Sequence, residues 1–352
     1  TPLYSSAASD VYKRQRLLFE TYAKLLGDFP EGCDQLFGEP LRQDGSLWLA
    51  VDGDFHPSLL FRTRRDDPKN DIELRSVSAW FSRDCSIETA DGRSITGVYT
   101  VIRLNENDPD IVRILLRILE ETFPKTGSPY ANREIATQIL ELANLFKQIA
   151  ASDTDIIGLW GELYIISQAP DTTHAVRCWC AHKMAKYDFV TPSFVLEAKT
   201  TLTSRRRHTF SLNQLRPSSD FVVYVASLTL LELNSGRTAA ELMDHVHANI
   251  DDGELGISFL KQCVLKGGQD IYRSTLKLDV LPNGTSLAIF QAACLPVPQV
   301  DDSAPIENIR FELDMTGLSG LSFAQADDIL SFDKSKPLHL AASHAISSKD
   351  PP

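Results

Sequence analysis

The sequence lacks any apolar run approaching the roughly 18 residues that a bilayer-spanning helix needs, so no membrane association is expected. No secretory leader is visible. The six cysteines form no CxxC pair and no small-disulfide framework, which points to a reducing cytoplasm. Positive charge is in short supply: 35 Lys and Arg stand against 47 Asp and Glu, a net −12. That balance speaks against holding long nucleic acid on a broad basic surface, although a local basic patch or a partner could do so. There is no GxSxG elbow and no HExxH helix, and Lys266-Gly267-Gly268-Gln269 lacks the context of a phosphate loop. Internal repeats and low-complexity tracts are also absent.

The start of the chain is set aside. Ser5–Gln15 reads SSAASDVYKRQ, the translation of a transposon-based sequencing adaptor, and Thr1–Tyr4 fits its flank. The true N-terminus is therefore expected to lie outside this sequence. Removing Asp10, Lys13 and Arg14 takes away a net +1 and leaves −13. About 337 residues remain, enough for two or three domains.

Arg16–Gly27 predicts a short amphipathic helix. Strands are expected at Leu47–Val51, Leu59–Thr63, Val77–Phe81 and Tyr99–Leu104, between Asp/Gly/Pro clusters. Asp108-Pro109 opens a helix whose Ile111, Ile114, Leu115, Ile118 and Leu119 recur at helical spacing. Gly127-Ser128-Pro129 breaks it, and a second helix is expected over Asn132–Ala150. From Asp153 the pattern changes. A helix capped by Asp153 or Thr154 reaches Ser167, strands follow at Lys186–Val190 and Phe194–Thr200, and Leu212–Leu215 is a helical turn. Phe221–Leu231 is a strong apolar strand. Ala239–Ile250 and Ile257–Cys263 read as helical, and Leu276–Leu281, Ser286–Ala293 and Ile309–Leu313 as strands.

The chemistry concentrates in Tyr187–Lys199. Strand alternation puts Phe194, Leu196 and Ala198 on one face and Val195, Glu197 and Lys199 on the other. Folding the chain back around Pro192-Ser193 pairs Val190 with Val195, Phe189 with Leu196 and Asp188 with Glu197. Opposed carboxylates that close repel unless a cation lies between them. Asp188, Glu197 and the Ala198 carbonyl offer hard oxygen donors suited to Mg²⁺ or Mn²⁺. Lys199 would position the attacking water or offset charge on a phosphate. Because Pro192 cannot take a positive φ, a four-residue loop is expected at the turn. Taken alone, a Glu-x-Lys pair usually marks a solvated strand edge. The aligned Asp188 raises the catalytic reading.

Further pieces surround this core. Glu162, on the preceding helix, is flanked by Leu159 and Ile166 at i−3 and i+4. It is either an amphipathic-edge acid or a carboxylate that helps hold metal. Gln214 could orient water. Arg205, Arg206, Arg207, His208 and Ser211 could bind the phosphate backbone, although each is also an ordinary polar loop residue. His174, Cys178, Cys180 and His182 do not have standard zinc spacing, and the cysteines flanking Trp179 read as two buried residues on one strand face.

GELY, YDF, FVLEAKTT and HTFSLNQL resemble a bacterial family of unknown function assigned to the PD-(D/E)XK superfamily. Its pattern is a GxxGEL helix, a DF strand, an E-(V/A)-K-T strand and an H-x-(I/F)-S-x-x-QL segment. The likeness covers mainly Gly158–Leu215, with a β-rich first half and a closing strand like Asn308–Leu313 extending it. Tyr187, where proline is usual, departs from the pattern. The resemblance implies a restriction-endonuclease-like fold and active-site residues at Glu162, Asp188, Glu197, Lys199 and Gln214. It also implies company with helicases, other ATPases or methyltransferases in bacterial defence islands.

The expectation is an α/β chain with a PD-(D/E)XK restriction-endonuclease-like core. Its divisions are 1–15 adaptor scar, 16–130 β-rich domain, 131–152 helical connector, 153–235 nuclease core, 236–337 β-containing extension and 338–352 disordered tail. The expected activity is Mg²⁺- or Mn²⁺-dependent endonucleolytic cleavage of DNA in a restriction or phage-defence system. A non-cleaving DNA-binding or scaffold subunit and an RNA-directed nuclease are the alternatives, since RNA exposes the same phosphate chemistry. Restriction-like enzymes often pair to cut both strands, so a homodimer stays open.

Overall fold

The computed structural model describes residues 17–65, 67, 69–123, 130–149, 154–180, 186–216, 221–280, 286–300 and 308–332. The adaptor segment, the 127–129 break, the Asp153 cap, His182 and the 338–352 tail lie outside them. The chain divides into two units, Thr1–Leu159 with Thr238–Leu276, and Trp160–Arg237 with Lys277–Pro352. Among the described residues, no helix is long and apolar enough to cross a membrane.

In the first unit, the helix Leu17–Gly27 buries Leu18, Tyr22 and Leu25, one stripe at helical spacing. The strands are β1 (Leu36–Pro40), β2 (Leu47–Val51), β3 (Pro57–Arg62), β4 (Ile72–Glu73), β5 (Val77–Glu88) and β6 (Ser94–Leu104). They run in the order β1-β2-β3-β6-β5-β4, and a parallel pairing of β1 with β5 closes five of them on themselves. Trp48, Ala50, Leu60, Ile87, Tyr99 and Val101 form a buried cluster there.

β1 was not anticipated. Its LFGEP sequence has little strand character, yet Gly38 lets it approach β2 so closely that a Cβ would lie 2.8 Å from the Ala50 Cβ. β5 outruns its apolar start by pairing with β6 from Arg83 to Glu88, beyond a register shift between Trp80 and Arg83 where Ser82 takes a positive φ of 52°.

Helices Pro109–Thr122, Asn132–Ile149, Ala239–His247, Gly253–Gly267 and Asp270–Arg273 complete this unit. The Asp108 carboxylate accepts from the Asp110 and Ile111 amides, and Pro109 occupies the first turn, as the sequence predicts.

The second unit holds a four-stranded sheet, β13-β10-β8-β7. Its strands are β7 (Phe189–Val190), β8 (Phe194–Thr201), β10 (Val222–Thr229) and β13 (Leu287–Gln291). β8 and β10 are parallel, and the outer pairings are antiparallel. β9 (Arg207–Ser211) pairs with β14 (Arg310–Asp314), and β11 (Leu231–Arg237) with β12 (Leu278–Asp279). The expected single strand Phe221–Leu231 is thus two strands, parted where the Leu230 amide donates to the Thr201 carbonyl at 2.8 Å.

The expected strand around Trp179 is instead a helix, Thr172–Trp179. The Asp171 carboxylate caps the His174 amide and sets a helical course. Cys178 is buried and Cys180 only half-buried.

Candidate active site

The β7–β8 hairpin has the register that the sequence suggests, with Phe189 opposite Leu196 and Val190 opposite Val195. Four residues, Thr191 to Phe194, lie between the last pair of the hairpin, as expected, and Phe194 is paired on its other side with Val222 of β10. The Thr191 amide donates to the Phe194 carbonyl at 3.0 Å, and the Phe194 amide donates to Thr191 Oγ1 at 2.9 Å. The threonine hydroxyl thereby takes a donor that a two-residue turn would aim at backbone, and neither Pro192 nor Ser193 needs a positive φ.

One step beyond the paired residues, Asp188 Oδ2 accepts from the Ala198 amide at 2.9 Å. In an antiparallel ladder a residue directs its N–H and C=O to the same neighbour, so the Ala198 carbonyl faces this edge too.

Glu197 is 5 % exposed, which excludes a solvated strand edge. Val195, on the same face, belongs to a core cluster with Phe210, Leu215, Val223 and Val225, so β8 is covered on both faces at this end. Two donors meet Glu197 Oε1: Lys199 Nζ at 2.9 Å and Gln214 Nε2 at 2.5 Å. The Lys199 ammonium also lies 5.4 Å from the centre of the Phe210 ring. Gln214 is held in turn, because its Oε1 accepts from the Ser211 amide at 2.9 Å across the short helix Leu212–Leu215.

Two residues missed in the sequence lie beside this group. Lys186 and Tyr187 both feel the charge of Glu197, and the Lys186 ammonium sits 5.0 Å from the Tyr187 ring centre. Desolvation lowers the Lys186 pKa, with Glu197 opposing it. Burial and then Glu197 raise that of Tyr187.

Residues 45–277, about two-thirds of the chain, match the profile of a family described as "Putative PD-(D/E)XK family member (DUF4420)". The chain belongs to the DUF4420 family. The match includes Glu162, Asp188, Glu197, Lys199 and Gln214, whereas β14, the partner of β9, falls outside it. Comparison with curated proteins and with solved structures finds no match.

The other expected residues of this DUF4420 member are distributed unevenly. Glu162 is buried, and its Oε2 accepts from the Trp179 indole N–H at 2.5 Å. Its helix, Ile156–Gln168, approaches β8 at Gly161, where a Cβ would stand 2.0 Å from Thr200 Cγ2. Alternation places Thr200 on the face of β8 opposite Glu197 and Lys199. Glu162, Asp188 and Glu197 do not draw their carboxylates together within 4.8 Å.

Among the described residues, the group that does so is Asp52, Asp54 and His56, in the β2–β3 turn of the first unit. There Asp52 accepts from the Asp54 and His56 amides and from Arg103 Nε at 2.7 Å, while Arg103 Nη2 lies 2.9 Å from His56 Nδ1. The guanidinium supplies the positive charge at this turn. A 740 Å³ cavity in the same unit, walled in part by Ile111, Leu115, Leu140 and Val264, contains none of the expected site residues.

The basic cluster separates by side-chain direction. Arg205 is exposed. Arg206 turns inward, donating to the carbonyl and hydroxyl of Ser227 and to the Ser286 carbonyl, and burial lowers its pKa. Arg207 pairs with Asp314 at 3.2 Å and Glu312 at 3.8 Å. His208 is buried with Nε2 2.7 Å from Ser227 Oγ. Burial first, then Lys199 and Arg206, brings its pKa down to about 4. Arg206 and His208 thus serve the interior, and Ser211 contributes its backbone amide to Gln214.

Proposed function

We propose that this chain is a metal-dependent phosphodiesterase with a PD-(D/E)XK-type centre, a DNA endonuclease of a bacterial restriction or phage-defence system. The observation that carries the reading is the edge of the β7–β8 hairpin. There Asp188 meets the Ala198 amide, and the neighbouring buried Glu197 is held by Lys199 and Gln214. Family membership supports the same chemistry.

The donor set fits a hard divalent cation, since Asp188, Glu197 and the Ala198 carbonyl offer oxygen only. Mg²⁺ or Mn²⁺ held there would supply Lewis-acid polarisation of a phosphoryl oxygen. Lys199 keeps a positive charge on the face where the phosphoryl oxygens gain negative charge. Gln214 restrains the Glu197 carboxylate and, with Lys199, can orient water. Glu162, which accepts from the Trp179 indole N–H, would assist Asp188 and Glu197 in holding the metal, as the family resemblance implies. The acidic balance of the chain favours delivery of DNA by a helicase, another ATPase or a methyltransferase subunit, or by pairing of two copies.

The test is cleavage of supercoiled and linear DNA by the chain with Mg²⁺ or Mn²⁺, with an EDTA control, beside Asp188→Ala and Lys199→Ala. Metal-dependent cleavage that falls at least ~100-fold in both variants is expected. Cleavage that survives both substitutions would remove these residues from the chemistry. Absence of cleavage and of Mg²⁺ binding, also with ATP and candidate partner subunits, would leave a non-cleaving scaffold.

A further inference from the structure

We infer that Lys186, seated on the ring of Tyr187, is a phosphate-binding residue of this site that takes a phosphodiester beside the one cleaved. The inference rests on the nuclease reading and adds a substrate contact to it. Two carboxylates that face a polyanion need positive charge beyond the cation they hold. The nearby cations are mostly engaged: Lys199 with Glu197, Arg206 with Ser227 and Ser286, and Arg207 with Asp314 and Glu312.

Lys186 differs. It is exposed and precedes Asp188 by two residues, and among the described residues its ammonium has the Tyr187 ring but no carboxylate at ion-pair distance. Tyr187 is half-buried and packs against the cluster of Val195, Phe210 and Val225, so it offers the lysine a fixed platform. A ring face attracts the ammonium without neutralising it, which leaves the full charge for a phosphate. Lys186 stands two residues before Asp188, which meets the Ala198 amide, and its Tyr187 platform packs against the cluster containing Val195, on the Glu197 face of β8, so one substrate strand can meet the carboxylates and the lysine together.

The experiment measures binding of a labelled duplex and a labelled single-stranded oligonucleotide to the full chain. Anisotropy is read in EDTA so that nothing is cut, over ~50–200 mM salt. Lys186→Ala should weaken binding about fivefold whatever the sequence. It should also flatten the slope of log affinity against log salt by ~0.9 for duplex or ~0.7 for single strand. Lys186→Arg and Tyr187→Phe, which keep the charge and the ring, should retain the wild-type slope. Lys69→Ala, which removes an exposed lysine of the first unit, should leave it unchanged.

Wild-type binding with an unaltered slope in Lys186→Ala overturns the inference alone, as does an equal loss in Lys69→Ala. If the wild type neither binds nor cleaves nucleic acid, the nuclease reading falls and this inference with it.

Discussion

At the scale of single residues, Glu197 Oε1 takes both Lys199 Nζ and Gln214 Nε2, so one buried oxygen depends on two donors. Hydrogen bonds to a charged group contribute about 1.5–3 kcal/mol, more than neutral ones. Gln214→Ala removes one of these and also frees the Ser211 amide. The expected outcome is a loss of about 2 kcal/mol in urea unfolding and a fall in kcat larger than any rise in KM, because what is lost is carboxylate orientation. Gln214→Glu, which sets a second carboxylate against Glu197, should be the more damaging change. Trp179→Phe deletes the indole N–H that Glu162 accepts and should cost about 1–3 kcal/mol, readable as a shift in the unfolding midpoint. An unchanged midpoint would mean that Glu162 does not depend on that bond.

At the scale of elements, the position of the helix Ile156–Gln168 against β8 is set by a missing side chain. Gly161→Ala would place a methyl 2.0 Å from Thr200 Cγ2, a distance that real Cβ contacts do not reach. Overpacking of this kind costs about 1–3 kcal/mol. Thr200→Ser removes that same Cγ2, so the double variant Gly161→Ala/Thr200→Ser should recover much of the loss. Additive losses in the double-mutant cycle would show that the two do not touch. The hairpin makes a parallel point. Thr191 completes its turn through the side chain, so Thr191→Val should loosen the register that sets Asp188 beside Ala198.

At the scale of the whole molecule, each unit buries a neutral histidine. His208, in the second unit, is brought down to about 4, and His247, in the first, to about 3, both mainly by burial. In the unfolded chain a histidine titrates near 6.5. Between about pH 6.5 and pH 4 the unfolded chain therefore binds more protons than the folded one, so stability rises with pH across that window. The contribution of His208 is full above pH 6.5 and is lost as pH falls to about 4, a change on the order of 3 kcal/mol. Urea unfolding followed from pH 7 to pH 4.5 should show this decline, and His208→Gln should flatten it. Phosphate contact by His208 as a cation does not fit these surroundings.

The sequence alone was enough for much of the local structure, though not for β1 or the helix Thr172–Trp179, and for the central pairing. Capping at Asp108, apolar periodicity along Pro109–Thr122 and alternation through Phe194–Lys199 are short-range properties, and they decided those helices and strands. The hairpin register followed from the position of Pro192-Ser193, which is why Phe189 and Val190 find Leu196 and Val195. Other features required the folded chain. The inward turn of Arg206 depends on Ser227 and Ser286, far along the sequence. The burial of Glu197 depends on neighbours that cover both faces of β8, and Thr238–Leu276 groups with the first unit although it lies in sequence between β11 and β12 of the second. Periodicity records which side chains share a face. Which distant element covers that face, and so whether a charge meets water, backbone or another charge, is decided by packing alone.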